Sequence, residues 1–273
     1  YGSPTGLDTG RSTSINLPGG VCLGAALVAA EFTGDGFEDL AVASPSEDIL
    51  DDPTHGADTP VGVVHILHGG PDGITTTGAT SVRRQSDETA SDVRFGRALA
   101  AGDLDDDGDT DLIVGSQGFL GEEGSGPGAV SVCRGATGGP TGCTRVTYAE
   151  HLAGLGSLAV GNVSGSATPE IVAGAPGGYG TPGRVVILQL KGAQATSLAT
   201  STELTQDSPG VPGSEEDDQF GASLAVDDID RDGHDDMVIG APYENGERGR
   251  VTVVRGSSGG YATSGNYTYG QDT

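Results

Sequence analysis

The strongest constraint in this sequence is a nine-residue acidic stretch that recurs in front of an apolar run. Asp103-Leu104-Asp105-Asp106-Asp107-Gly108-Asp109-Thr110-Asp111 is followed directly by Leu112, Ile113 and Val114. If Gly108 turns the backbone back sharply, the side chains of Asp103, Asp105 and Asp107 converge on one point and Asp111 closes the cluster. Four carboxylates held together without a cation repel one another and raise their own pKa values, whereas a hard divalent ion takes about six to eight oxygens at roughly 2.3–2.6 Å. The stretch reads as a calcium loop. Magnesium fits less well, because it keeps several of its waters.

Four units share the pattern. The first runs through Ala26 to Ala29, the loop Glu31-Phe32-Thr33-Gly34-Asp35-Gly36-Phe37-Glu38-Asp39, and Leu40 to Pro45. The second holds Asp103 to Asp111. The third is worn: Leu158 to Gly161, then Asn162-Val163-Ser164-Gly165-Ser166, then Glu170 to Pro176. The fourth has Asp228-Ile229-Asp230-Arg231-Asp232-Gly233-His234-Asp235-Asp236 between Ser223 to Val226 and Met237 to Pro242. First loop positions fall at Glu31, Asp103, Asn162 and Asp228, spaced by 72, 59 and 66 residues. Each unit continues into a third apolar run, beginning at Gly62, Gly128, Gly183 and Gly249, and then into a turn and a polar outer segment such as Thr75 to Arg84 or Tyr261 to Tyr269. Four strands in a repeat of roughly 60 residues predict a β-propeller blade.

Composition agrees with that class. Only 34% of the 273 residues are hydrophobic and 4% aromatic, and the 49 glycines are spread between short apolar runs. No stretch carries apolar residues at helical spacing over three turns, so the expectation is all-β, with four-stranded antiparallel blades. The first two strands of each unit are small and apolar, as strands packed between neighbouring blades would be.

Phe95-Gly96 and Phe220-Gly221, the acidic loops, and Gly174-Ala175-Pro176 and Gly240-Ala241-Pro242, in that order, resemble the FG-GAP repeat of integrin-α-type β-propellers of the secreted bacterial kind. Ser44-Pro45 and Gly115-Ser116 are degenerate copies. The resemblance covers nearly the whole chain, with repeat cores at about 23–84, 95–150, 154–204 and 220–273. It implies calcium-binding hairpin loops between the first two strands of a blade, with side-chain oxygens from positions one, three, five and nine and a backbone carbonyl from position seven. The second loop would then use Asp103, Asp105, Asp107 and Asp111 with the carbonyl of Asp109, and the fourth Asp228, Asp230, Asp232 and Asp236 with that of His234. Glu31, Thr33, Asp35 and Asp39, with the carbonyl of Phe37, form a weaker first site. The third loop offers Asn162, Ser164, Ser166 and Glu170 and is expected to hold no ion. An EF-hand is excluded because it requires a glutamate at position twelve between helices, where Val114 and Ile239 stand in apolar runs.

The family usually closes seven blades into a ring, and four cores are visible here. Tyr1 to Leu7 resembles the turn His68 to Ile74 that follows a third strand, so the outer segments outnumber the inner sets. The expectation is a single propeller domain over 1–273, or a propeller fragment that another chain or fragment completes.

Function classes narrow by exclusion. The net charge is −26, and Lys191 is the only lysine, so neither nucleic acid nor an anionic membrane surface is an expected partner. No apolar stretch reaches the roughly 20 residues a membrane-spanning helix needs. Cys133 and Cys143 flank a Gly/Pro-rich turn that a disulfide would staple, with two separate thiols as the alternative; Cys22 is left single. His55, His65, His68, His151 and His234 are scattered without a nucleophile partner, and Gly256-Ser257-Ser258-Gly259-Gly260 lacks the strand-turn-helix context of a nucleophile elbow. The expectation is a non-catalytic, calcium-stabilised extracellular binding module. It would present loops such as Glu47 to Pro60, Gln117 to Pro127 and Gln206 to Gln219 to a protein partner. Alternatives are a glycan-binding lectin, disfavoured by the absence of Trp, or the accessory domain of a secreted hydrolase.

Overall fold

The computed structural model describes residues 2–3, 6–7, 14–17, 22–46, 62–83, 93–119, 125–149, 152–177, 183–192, 198–211 and 218–271. A short hairpin of β1 (Gly2–Ser3) and β2 (Gly6–Leu7) precedes four four-stranded antiparallel sheets. The first is β3 (Leu27–Ala30), β4 (Asp39–Ser44), β5 (Val63–His68) and β6 (Thr75–Arg83). The second is β7 (Val93–Gly102), β8 (Asp111–Phe119), β9 (Ser125–Cys133) and β10 (Thr144–Ala149), and the third β11 (Ser157–Gly161), β12 (Glu170–Ala175), β13 (Arg184–Leu190) and β14 (Leu198–Leu204). The fourth joins β15 (Ser223–Asp227), β16 (Asp236–Ala241) and β17 (Arg250–Val254) to β20 (Tyr267–Gly270), with a small hairpin of β18 (Gly256–Ser257) and β19 (Gly260–Tyr261) in the last connection. These are the four predicted blades. Residues 47–60 and parts of 117–127 and 206–219, expected as partner-facing loops, lie outside the described residues.

Strand order follows chain order within each sheet, every neighbouring pair being antiparallel. The second strand of each blade is a continuous small apolar run, and β12 is buried along its whole length. Such a run needs cover on both faces. Outer strands β6 and β14 are Thr-rich and mostly exposed, which blunts the sheet edge they form.

Packing between blades runs first to second through β3 and β7, second to third through β7 and β11, and third to fourth through β11 and β15. Three apolar layers fill these gaps. Phe32, Ile66 and Val64 meet Phe95, Leu112 and Cys133 in the first; Leu104 and Ile113 meet Leu155 and Ile171 in the second; Val163 and Val185 meet Phe220 and Met237 in the third. The expectation that every first strand packs between neighbours holds for β7 and fails at the ends. Leu27 is 58% exposed, whereas Leu99, at the same distance from its Gly, is 9% exposed. A blade without a neighbour leaves one face to solvent.

Cys133 and Cys143 form a disulfide that closes the turn between β9 and β10, and Cys22 is free and exposed. The stapled turn reaches back over the preceding blade, where the Gly138 N–H donates to the Thr33 carbonyl at 2.8 Å.

Candidate metal centres

All four acidic loops join the first two strands of a blade and share a backbone frame. Position four is left-handed in each: Gly34, Asp106, Gly165 and Arg231 have φ of 77°, 60°, 63° and 63°. In the second loop, Asp103 Oδ1 accepts the N–H groups of Asp105, Asp106 and Asp107 at 3.2, 2.7 and 3.3 Å, and its Oδ2 accepts Gly108 N–H at 2.9 Å. Burial works to raise the Asp103 pKa, but these four backbone donors outweigh it and hold the carboxyl below its ordinary value. In the fourth loop, Asp228 accepts from Asp232 and Gly233 at 3.0 and 3.1 Å. Glu31 does the same in the first loop, taking Thr33, Gly34 and Asp35 N–H on one oxygen.

The acid at position nine has a different task. Asp111 is buried; its Oδ2 accepts Leu104 N–H at 3.1 Å and its Oδ1 accepts Gly135 N–H at 2.8 Å. Asp39 binds Phe32 and Gly69 N–H in the same way, and Asp236 binds those of Ile229 and Gly256. Each carboxylate therefore ties its loop to the end of the third strand. Position five accepts the N–H of position seven, so Phe37, Asp109 and His234 donate to Asp35, Asp107 and Asp232 at 2.9, 2.9 and 3.0 Å.

The carboxylates that converge are those of positions one, three and five. Asp103, Asp105 and Asp107 each offer an oxygen within 4.8 Å of the others, and so do Asp228, Asp230 and Asp232. Burial raises the Asp105 pKa; Arg134 lowers it, and the neighbouring charges of Asp111, Asp107 and Asp103 raise it again. Asp111 and Asp236 stand outside both triads; both accept backbone N–H groups, and Asp111 also accepts from Arg134. Among the described residues the first and third loops form no such triad, since Thr33, Ser164 and Ser166 replace acids.

A cation fits the second loop on its own geometry. Asp105 Oδ1 is buried without a hydrogen-bond partner, and so is Thr33 Oγ1 at the same position of the first loop. A buried acceptor without a donor carries a cost that a coordinated cation removes. Oxygen donors alone, three of them carboxylates, suit calcium. The third loop is closed by protein instead: Ser164 and Ser166 hydroxyls donate to Glu170 Oε1, the latter at 2.7 Å, and Val163 N–H donates to Oε2 at 3.0 Å. Asn162 Nδ2 reaches the Ser166 carbonyl at 3.1 Å, leaving its Oδ1 buried without a partner.

Sequence reasoning missed the arginines. Arg134 lies 2.7 Å from Asp111 and 3.4 Å from Asp105, and Arg255 pairs with Asp230 and lies 3.5 Å from Asp232. The signal was present in the dipeptides that close the third strands, His68-Gly69, Arg134-Gly135 and Arg255-Gly256. In each, the Gly N–H meets the position-nine acid.

Three segments, 23–67, 95–133 and 220–254, match the family model described as the FG-GAP repeat, and each spans the first three strands of a blade. The chain carries FG-GAP repeats. Its third blade, with the worn loop, falls outside the matched segments. No curated protein matches the chain. In the FG-GAP frame the two halves of the motif meet across blades. A side-chain carbon added at Gly174 of one Gly-Ala-Pro would lie 2.1 Å from the carbonyl oxygen of Gly221 in the next Phe-Gly.

Proposed function

We propose that this FG-GAP domain is a non-catalytic, calcium-stabilised extracellular module that binds a protein partner through its propeller loops. The observation carrying the reading is the position of the acid triads. They sit at the hairpin tips, each tied by a position-nine carboxylate to its own third strand. Calcium there would be held by Asp103, Asp105 and Asp107 and by Asp228, Asp230 and Asp232, with a weaker first site at Glu31, Thr33 and Asp35, the position-nine acids bracing each loop. When bound it supplies charge neutralisation. The residues supply the loop frame, and the frame fixes how neighbouring blades meet. An ion that binds only the folded state contributes about 2.7 kcal/mol at 100 times its dissociation constant. The disulfide supports an oxidising, extracellular setting.

A lectin is the second reading, favoured by a cleft of about 600 Å³ between the third loop and the β18–β19 hairpin. Ser166, Gln189 and Thr202 offer hydrogen-bonding groups there beside the ring of Tyr261. Screening the calcium-loaded chain on a glycan array separates the two. The protein-partner reading expects no saturable signal, and calcium-dependent binding of one glycan class that Tyr261→Ala abolishes would replace it with the lectin.

A further inference from the structure

The turn between β9 and β10 touches two acidic loops at once. On its own blade, Gly135 N–H donates to Asp111 Oδ1 at 2.8 Å, and Arg134 lies 2.7 Å from Asp111 and 3.4 Å from Asp105 of the second loop. A side-chain carbon added at Gly135 would lie 2.7 Å from the Thr110 carbonyl oxygen, so the turn sits directly on that loop. Farther along, the same turn lies against the first loop, on the preceding blade. Gly138 N–H donates to the Thr33 carbonyl at 2.8 Å. A carbon added at Gly34 would lie 3.8 Å from Thr137 Cα, and one at Gly139 would lie 3.6 Å from Thr33 Cγ2.

The disulfide makes this turn a single piece. Cys133 and Cys143 are both buried in the apolar layer between the first two blades, together with Phe32 of the first loop. Inside the staple, Gly139 N–H donates to the Ala136 carbonyl at 2.8 Å and closes a tight turn. A stapled, hydrogen-bonded segment of this kind carries a shift at Arg134 and Gly135 through to Gly138.

At its far end the turn grips a residue with an unused oxygen. Thr33, at loop position three, is 7% exposed, and its Oγ1 is buried without a partner. Its N–H is held by Glu31 Oε1 at 3.0 Å and its carbonyl by Gly138, so the loop's own acid and the turn fix it from two sides. The β18–β19 hairpin makes a comparable bridge between the fourth and third loops, with Gly256 N–H on Asp236 at 3.0 Å and Ser257 N–H on the Val163 carbonyl at 3.2 Å. That hairpin has no staple, and the third loop is already closed by Glu170. Among the described residues, only the stapled turn joins two loops whose position-three oxygen is buried without a partner, Thr33 Oγ1 and Asp105 Oδ1.

We infer that the stapled turn couples the first and second loops, so that calcium held in one raises the affinity of the other. The inference rests on calcium occupying both loops, as proposed above. Arg134 is the point of entry. It is shared between Asp105, a triad acid, and Asp111, the brace, so neutralising the triad leaves Arg134 to Asp111 and tightens the hold on the turn at Gly135. That hold keeps the Gly138 amide on Thr33, which sets the position-three side chain of the first loop. Coupling between two binding sites is reciprocal, and typical coupling changes affinity about 5–150-fold.

Isothermal titration with calcium chloride tests it in the whole chain, with the fourth loop silenced by Asp230→Ser and Asp232→Ser and each variant checked for folding by circular dichroism. Binding at both the first and second loops is expected. Removing the second site with Asp105→Ser and Asp107→Ser should weaken the first by at least about fivefold. With Cys133→Ala and Cys143→Ala added to both proteins, that ratio should fall below about twofold, as for independent sites. Gly138→Ala takes the place of the cysteine pair if the latter does not fold. Its φ of 91° disfavours a side chain and the added carbon meets nothing within 4 Å, so it disturbs the backbone of the turn and no packing. A first-site affinity that is the same with and without the second site, or a ratio that the turn variants leave intact, overturns the inference and leaves the calcium reading standing. One ion bound before the second site is removed, and none after, overturns the first site and the inference together.

Discussion

The second and third loops have one backbone frame and two ways of filling it. Both turn at a left-handed fourth residue, Asp106 or Gly165, and both end in a buried acid that takes the N–H of position two. In the second loop three carboxylates face one another and Asp105 keeps a buried oxygen without a partner. In the third, serine hydroxyls at positions three and five hand their protons to Glu170. The frame is therefore set by the last acid and the turn, and a cation would answer a problem created by the other acids. Where serines replace those acids the carboxylate repulsion disappears, although Asn162 Oδ1 stays buried without a partner.

The largest expected effect comes from breaking what the loops share. Asp111→Ala removes the acceptor for two backbone N–H groups and leaves Arg134 beside Asp105 without its closer partner, which should cost about 3 kcal/mol in urea unfolding. A cost under about 1 kcal/mol would mean that the frame does not depend on the last acid. Next comes chelation. Removing calcium from a site saturated 100-fold withdraws about 2.7 kcal/mol, and at about 2–4 °C per kcal/mol for a chain of this size the melting temperature falls by roughly 6–10 °C for each site emptied.

Two smaller effects sharpen the difference. Glu170→Gln weakens the serine bonds of the third loop and should cost about 1.5 kcal/mol, equally in calcium and in EDTA, as followed by thermal melting. A cost that appears only in calcium would place an ion in the third loop. Asp105→Ser with Asp107→Ser makes the second loop resemble the third. Isothermal titration should then count one calcium fewer, with a stability change in EDTA below about 1 kcal/mol, because repulsion among the acids is lost along with the site.

Much of this was legible in the sequence. Four units, their strand order and positions one, three and five of the second and fourth loops follow from alternate acids placed before apolar runs. The double duty within the acid set was not. Asp111 and Asp105 are chemically identical, and only the fold decides that one accepts from Leu104 and Gly135 while the other faces its fellow acids. Arg134 and Arg255 were hidden for a related reason, since each reaches its loop from a strand more than twenty residues along the chain. The exposure of Leu27, Ile229 and Tyr269 is a matter of which neighbours a blade has, and no local pattern encodes that.

The central claim is that the second and fourth loops hold calcium as braces. Thermal melting of the wild type and of an Asp105→Ser, Asp230→Ser double variant, each in calcium and in EDTA, tests it most directly. The wild type should melt higher in calcium by roughly 6–10 °C for each of the two sites, and the double variant should lose most of that difference. Identical wild-type melting in calcium and EDTA would contradict the account.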